Sequence, residues 1–69
     1  MKEVIKRIVI ERNDLLDKCS SLEAFTDSDK FNDVNYVQQL LLPSQLSAME
    51  TYLMLLDARL DDLEEPFND

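Results

Sequence analysis

The apolar residues of this chain fall on two helical stripes separated by one polar interval. In the first stripe, Met1, Ile5, Ile8, Arg12, Leu15, Cys19 and Leu22 alternate at spacings of four and three, a coiled-coil-like seam interrupted by one charge. Val4, Val9, Ile10, Leu16 and Phe25 lie beside that line and make the stripe wider than one partner helix would cover. The second stripe, Leu42, Leu46, Met49, Leu53, Leu56, Leu60 and Leu63, repeats the same alternation. Val37, Leu40, Leu41, Tyr52 and Leu55 broaden it in turn. Glycine is absent and proline occurs only at Pro43 and Pro66, so the spacing predicts helix over about 2–26 and about 35–64.

Between the stripes, Asp27-Ser28-Asp29-Lys30-Phe31-Asn32-Asp33 loses the period and concentrates short polar side chains that compete for backbone hydrogen bonds. It reads as a turn over about 27–34, with Phe31 plugging the end of the hairpin. Asn35 and Gln38 have the spacing of a capping box at the start of the second helix. Pro43 removes a backbone donor and kinks a helix interior. A fresh start there would leave Leu42, a poor cap, at the N-cap, which favours one kinked helix over two. The second helix is expected to end by Glu65, before Pro66, in a frayed acidic tail.

At about 1.5 Å per residue the arms run to roughly 35 and 45 Å, matched well enough to pair antiparallel. The fold class is all-α: two long antiparallel helices in a helical hairpin, one domain over residues 1–69. That pairing sets Lys2, Lys6 and Arg7 near Asp61, Asp62, Glu64 and Glu65, contacts that select orientation more than they stabilise.

Length turns the excess stripe width into a requirement. A chain of 69 residues buries only about 60% of the surface its unfolded form exposes and needs a disulfide, a metal or a partner. Cys19 is the single cysteine and histidine is absent, so neither an internal disulfide nor a conventional zinc site can be assembled within one chain. What remains is assembly into a homo-oligomeric helical bundle. An unpaired thiol fits a reducing compartment, where Cys19 serves as a small buried hydrophobe, and cytoplasm is the expected address. The first residues carry both signs of charge through a short apolar set unlike a signal core, and no run approaches a membrane span.

Fifteen acids against seven bases give a net charge of −8, which argues against duplex nucleic acid and membranes as partners. The bases are concentrated, with Lys2, Lys6, Arg7, Arg12 and Lys18 all within the first eighteen residues. Two rows of period seven flank the stripes: Val4, Glu11, Lys18 and Phe25 on the first helix, and Gln38, Gln45, Tyr52 and Arg59 on the second. A basic residue with its stem on an apolar face and its head in a groove can bind an anion. The competing explanation is a rim position that snorkels to water or pairs with an acid in a bundle. Glu11, Asp14 and Asp17 spread over different helix faces, so they read as a solvated surface and no metal site is expected. No nucleophile and base pair or metal site can be assembled from these residues within one chain, so an enzyme is the least expected class and no cofactor is expected.

The ordered set Arg7, Glu11, Leu15, Lys18, Leu22, Phe25, then Ser28-Asp29-Lys30-Phe31, then Leu40-Leu41, Gln45, Ala48-Met49, Tyr52, Leu56 and Arg59-Leu60 covers nearly the whole chain. It resembles the helical-hairpin domain of bacteriophage anti-CBASS and anti-Thoeris sponges, which sequester cyclic nucleotide defence signals. The resemblance implies a phage-encoded protein of the host cytoplasm that forms a compact homo-oligomer, typically a hexamer. It also implies cyclic oligonucleotide ligands, such as cGAMP and cyclic trinucleotides, held between protomers without cleavage or cofactor. Carried onto this chain, it places ligand contacts at Lys18, Arg59 and Arg7. Some members put a base-stacking aromatic near the start of the first helix, where Glu3 and Val4 stand here. Two other readings fit the charge: an acidic nucleic-acid mimic, for which the stretch Asp57 to Asp69 carries six acids against Arg59, or a purely structural oligomerisation module.

Overall fold

A computed structural model describes residues 1–64. Helix α1 spans Lys2–Thr26 and helix α2 spans Tyr36–Glu64, joined through a short 3-10 turn at Asp29–Asp33. The two helices pack against each other as an antiparallel hairpin. The Ser20-Ser21-Leu22-Glu23 run, which imitates a capping box, lies inside α1. The expected acidic tail from Glu65 onward lies outside the described residues.

A chain without glycine must end α1 without the left-handed residue that commonly closes helices. Among the described residues no φ is positive. The orphan carbonyls are met by local donors instead. The Asp27 N–H donates to the Glu23 carbonyl at 3.0 Å and the Ser28 N–H to the Phe25 carbonyl at 3.0 Å. The Thr26 hydroxyl adds a bond to the Glu23 carbonyl at 2.9 Å, and the Ser28 hydroxyl one to the Phe25 carbonyl at 2.7 Å. The interval expected as a plain turn therefore contains five residues of 3-10 helix, which tightens the reversal. Phe31 lies half-buried at its centre, edge to face with Phe25 at a centroid distance of 6.2 Å.

Asn35 starts α2 as the sequence pattern suggests. Its side-chain oxygen accepts the Gln38 N–H at 3.0 Å, and its carbonyl accepts the first helical bond, from the Gln39 N–H, at 3.1 Å. Gln39 contributes a feature that periodicity does not reveal. Its side-chain amide donates back to the Val34 carbonyl at 3.1 Å and approaches the Asn32 and Phe31 carbonyls at 3.3 and 3.4 Å, tying the turn to the second helix. Beyond it α2 runs unbroken through Pro43. Pro43 is exposed, so the Gln39 carbonyl, which loses its usual helical donor there, stands on the solvent side.

The core is one line of side chains: Ile8, Leu15 and Cys19 from α1 against Leu56 and Leu60 from α2. Ile5, Leu46, Met49, Leu53 and Leu63 pack around it, all of them positions of the two sequence stripes. Cys19 is a free, buried thiol. Arg12, the charged interruption of the first seam, turns its Nε to the Asp57 carboxylate of α2 at 2.7 Å. Charge pairing between the arms thus includes a contact the end-to-end alignment of Lys2, Lys6 and Arg7 with terminal acids did not name.

One layer of two helices leaves much apolar surface outside. The radius of gyration is 15.8 Å, with extents of 52 × 17 × 14 Å, where a compact chain of this length would have about 11 Å. Accessible surface is 5407 Å², against about 4,500 Å² for a compact monomer of the same mass. The excess includes Val37, Leu40, Leu41, Met54 and Leu55, each more than half exposed on α2. No described helix is long and apolar enough to cross a membrane.

Candidate ligand groove

The two period-seven rows of polar positions meet across the hairpin. In the antiparallel register Val4 comes beside Arg59, Glu11 beside Tyr52, and Lys18 beside Gln45. Because side chains seven apart stand on nearly the same helix face, these pairs form the banks of successive grooves along one side of the seam.

The first groove encloses about 380 Å³ and is lined by Arg7, Ile10, Glu11, Asp14, Leu15, Lys18 and Tyr52. Its apolar lining is Leu15 of the buried seam and the more exposed Ile10 beside it. Arg7 and Lys18 stand at positions three helical turns apart on α1, with Glu11 and Asp14 between them. Glu11 and Asp14, expected on different faces, therefore share one groove, since residues three apart on a helix are neighbours. Asp17 lines the adjoining groove with Lys18, Ser21, Leu22, Gln45 and Met49. Among the described residues no group of three or more acids, cysteines or histidines is placed to hold a metal ion.

From α2 the Tyr52 hydroxyl donates to Glu11 Oε2 across the mouth of the first groove. That bond to the Glu11 carboxylate holds the phenol above its ordinary pKa of 10.0, aided by partial desolvation and the Glu11 charge and opposed by the charge of Arg59. A neutral hydroxyl can bond the carboxylate, whereas a phenolate facing it would be repelled.

Arg59 stands elsewhere. It lines a groove of about 370 Å³ with Val4, Leu55, Ala58, Asp62 and Leu63. The structure thus divides the residues singled out from sequence into two sets, Arg7 with Lys18 and Val4 with Arg59. Glu3 is exposed in the first turn of α1 and lines none of these three grooves. Glu11 and Tyr52, like Ile10, Asp14 and Leu15, line the groove without having been chosen as ligand contacts from sequence. Their signal was the matching period of the two flanking rows, which an antiparallel hairpin must bring face to face.

Chemically, the first groove offers two cations, two carboxylates, one aromatic ring with its hydroxyl anchored, and an apolar floor. Its four formal charges cancel locally, so an anion entering it meets Arg7 and Lys18 without a net local excess of negative charge. A family model described as Sequestin matches residues 2–62. No curated protein and no solved structure matches the chain.

Proposed function

The chain belongs to the Sequestin family, and on that premise we propose that it binds cyclic oligonucleotide immune signals and withholds them intact from their effectors. The family name points to sequestration, a role that needs binding without a chemical step. The observation that carries the reading is the placing of Arg7, Lys18 and Tyr52 in one groove over an apolar floor. A cyclic dinucleotide brings two phosphates and two flat bases, and these match cations and an aromatic ring, respectively. Glu3 and Val4 stand where some members place an aromatic near the start of α1, so Tyr52 of α2 is the ring that this groove offers a base.

A groove on one hairpin covers one side of such a ligand. We infer that a second protomer closes it, so that a twofold axis supplies Lys18 twice to a twofold ligand, within a homo-oligomer of hexameric size. Support comes from the surface: the hairpin exposes about 900 Å² more than a compact monomer would, close to the roughly 800 Å² that each partner contributes to a standard interface. The groove of Val4 and Arg59 is the proposed site for a cyclic trinucleotide at a threefold axis. The setting that fits is a phage protein acting in the host cytoplasm against a nucleotide-signalled defence.

Isothermal titration against a panel of cyclic di- and trinucleotides tests this reading, with ligand then released by heating and its integrity checked. Binding with intact recovery is expected, weakened about tenfold or more by Lys18→Ala for dinucleotides and by Arg59→Ala for trinucleotides. No heat with any member of the panel would sink the proposal, and degraded ligand would replace it with an enzyme.

A further inference from the structure

A groove built only to hold phosphates has no use for carboxylates, because each one weakens the pull of neighbouring cations on an anion. Glu11 and Asp14 nevertheless line the groove between Arg7 and Lys18, and both are exposed. Glu11 is also held in position, since Tyr52 reaches across from the other helix to donate to its Oε2. An ionised carboxylate accepts at about four lone-pair sites. With Tyr52 engaged, about three remain for a ligand in the groove that Glu11 lines.

The ligand that suits this arrangement carries an anion for Arg7 and Lys18 and, beside it, N–H donors for Glu11. Among nucleobases, guanine presents two adjacent donors on one edge, the ring N1–H and the exocyclic N2 amine, which match the two oxygens of a carboxylate. Adenine presents on the equivalent edge one amine beside an unprotonated ring nitrogen, whose lone pair faces a carboxylate unfavourably. We propose that Glu11 is the specificity-determining residue of this groove and that it selects guanine-type over adenine-type bases. The proposal rests on the cyclic oligonucleotide reading above and names the base that reading leaves open.

The rival explanation is that Glu11 serves only to position Tyr52. Two variants separate these. Glu11→Gln replaces one acceptor oxygen with an amide NH2, which opposes guanine's two donors but matches adenine's donor and acceptor, as a glutamine amide also does on adenine's N6 and N7 edge in DNA. Tyr52→Phe keeps the ring and releases Glu11 without changing its charge.

Affinities for cyclic di-GMP and cyclic di-AMP, ligands of equal charge, are measured by titration calorimetry for the wild type and both variants. The wild type is expected to prefer cyclic di-GMP by about tenfold or more, the discrimination typical of a bidentate base contact. Glu11→Gln should abolish or reverse that preference, and Tyr52→Phe should keep its direction. Equal wild-type affinities would overturn the proposal alone, as would a preference that survives in Glu11→Gln or is lost equally in Tyr52→Phe. Binding of neither ligand to the wild type would overturn the sequestration reading for dinucleotides and this inference together. Helical circular dichroism and elution volume establish that the variants retain the wild-type assembly, and the wild-type ratio decides the proposal where a variant does not fold.

Discussion

Replacing Leu56 with alanine removes the one side chain that, among the described residues, the hairpin encloses completely. Leu56 has 0% exposure and packs among Ile8, Leu15, Cys19 and Leu60. Burying a leucine and then truncating it costs about 2–5 kcal/mol, depending on how far the site can collapse. A core one layer deep has soft walls, so the lower half of that range applies, about 2–3 kcal/mol. A chain of this length typically has only about 3–10 kcal/mol of net stability, and at roughly 4–8 °C per kcal/mol the melting temperature should fall by about 10–20 °C. Far-ultraviolet circular dichroism at fixed protein concentration measures it, since melting of an assembly depends on concentration. Met54→Ala is the informative companion, because Met54 is 70% exposed on the same helix. On an isolated hairpin that change should stay within about 0.5 kcal/mol. With a neighbouring protomer covering α2, it should cost about 1–3 kcal/mol and lower the assembly's midpoint as the protein is diluted. A fall below about 4 °C for Leu56→Ala would refute the packing argument. A neutral Met54→Ala with a concentration-independent melt would refute self-association through this face.

The Arg12–Asp57 pair, at 2.7 Å but with side chains 33% and 47% exposed, should contribute under about 1 kcal/mol in a double-mutant cycle. Most of that coupling should vanish in molar salt, and coupling that persists there would show the pair to be shielded from solvent. The Tyr52 phenol should titrate above 10.0 in a near-ultraviolet absorbance titration, and Glu11→Gln should bring it back toward that value. Because the folded state favours the neutral phenol, its stabilising contribution is complete below the unfolded pKa and is lost as pH rises through the folded one. An unshifted wild-type phenol would deny the Glu11 bond.

The stripes carried the fold because core membership in a two-helix seam is a matter of spacing alone. Ile8, Leu15, Leu56 and Leu60 stand on the two lines where they are buried, and Cys19 behaves as its isolation in the sequence implied. The turn was less legible. Without glycine the reversal depends on hydroxyls at Thr26 and Ser28 and on the Gln39 amide, and such contacts have no period to reveal them. Arg12 was visible as an interruption, but its partner was not, since the register of Asp57 depends on the length of the reversal. The groove was half legible. Arg7 and Lys18 stood out by charge on an apolar face, whereas Glu11 and Tyr52, though visible in the flanking rows, were given no ligand role because an acid on an acidic protein and a tyrosine on a broad stripe each have an ordinary explanation.

The two helices carry different chemistry, and that difference bears on how assembly and binding relate. From Lys2 to Lys18, α1 presents charges of both signs around its outer surface. From Gln38 to Ala58, α2 carries only Glu50 and Asp57, and Asp57 is engaged by Arg12. A helix so poor in charge is stable in water when most of its circumference is covered, and α1 covers only one side. The outer face of α2, with Leu40, Leu41 and Met54 exposed, is therefore the surface the proposed assembly would cover, while the cations of the first groove come entirely from α1. Tyr52 joins the two roles: it belongs to the assembling helix yet bonds Glu11 inside the groove. In the proposed assembly, a shift of α2 against a neighbour would reach the carboxylate beside Arg7 and Lys18 through that bond. Ligand affinity should accordingly depend on assembly even for a ligand whose charged contacts all lie on one protomer.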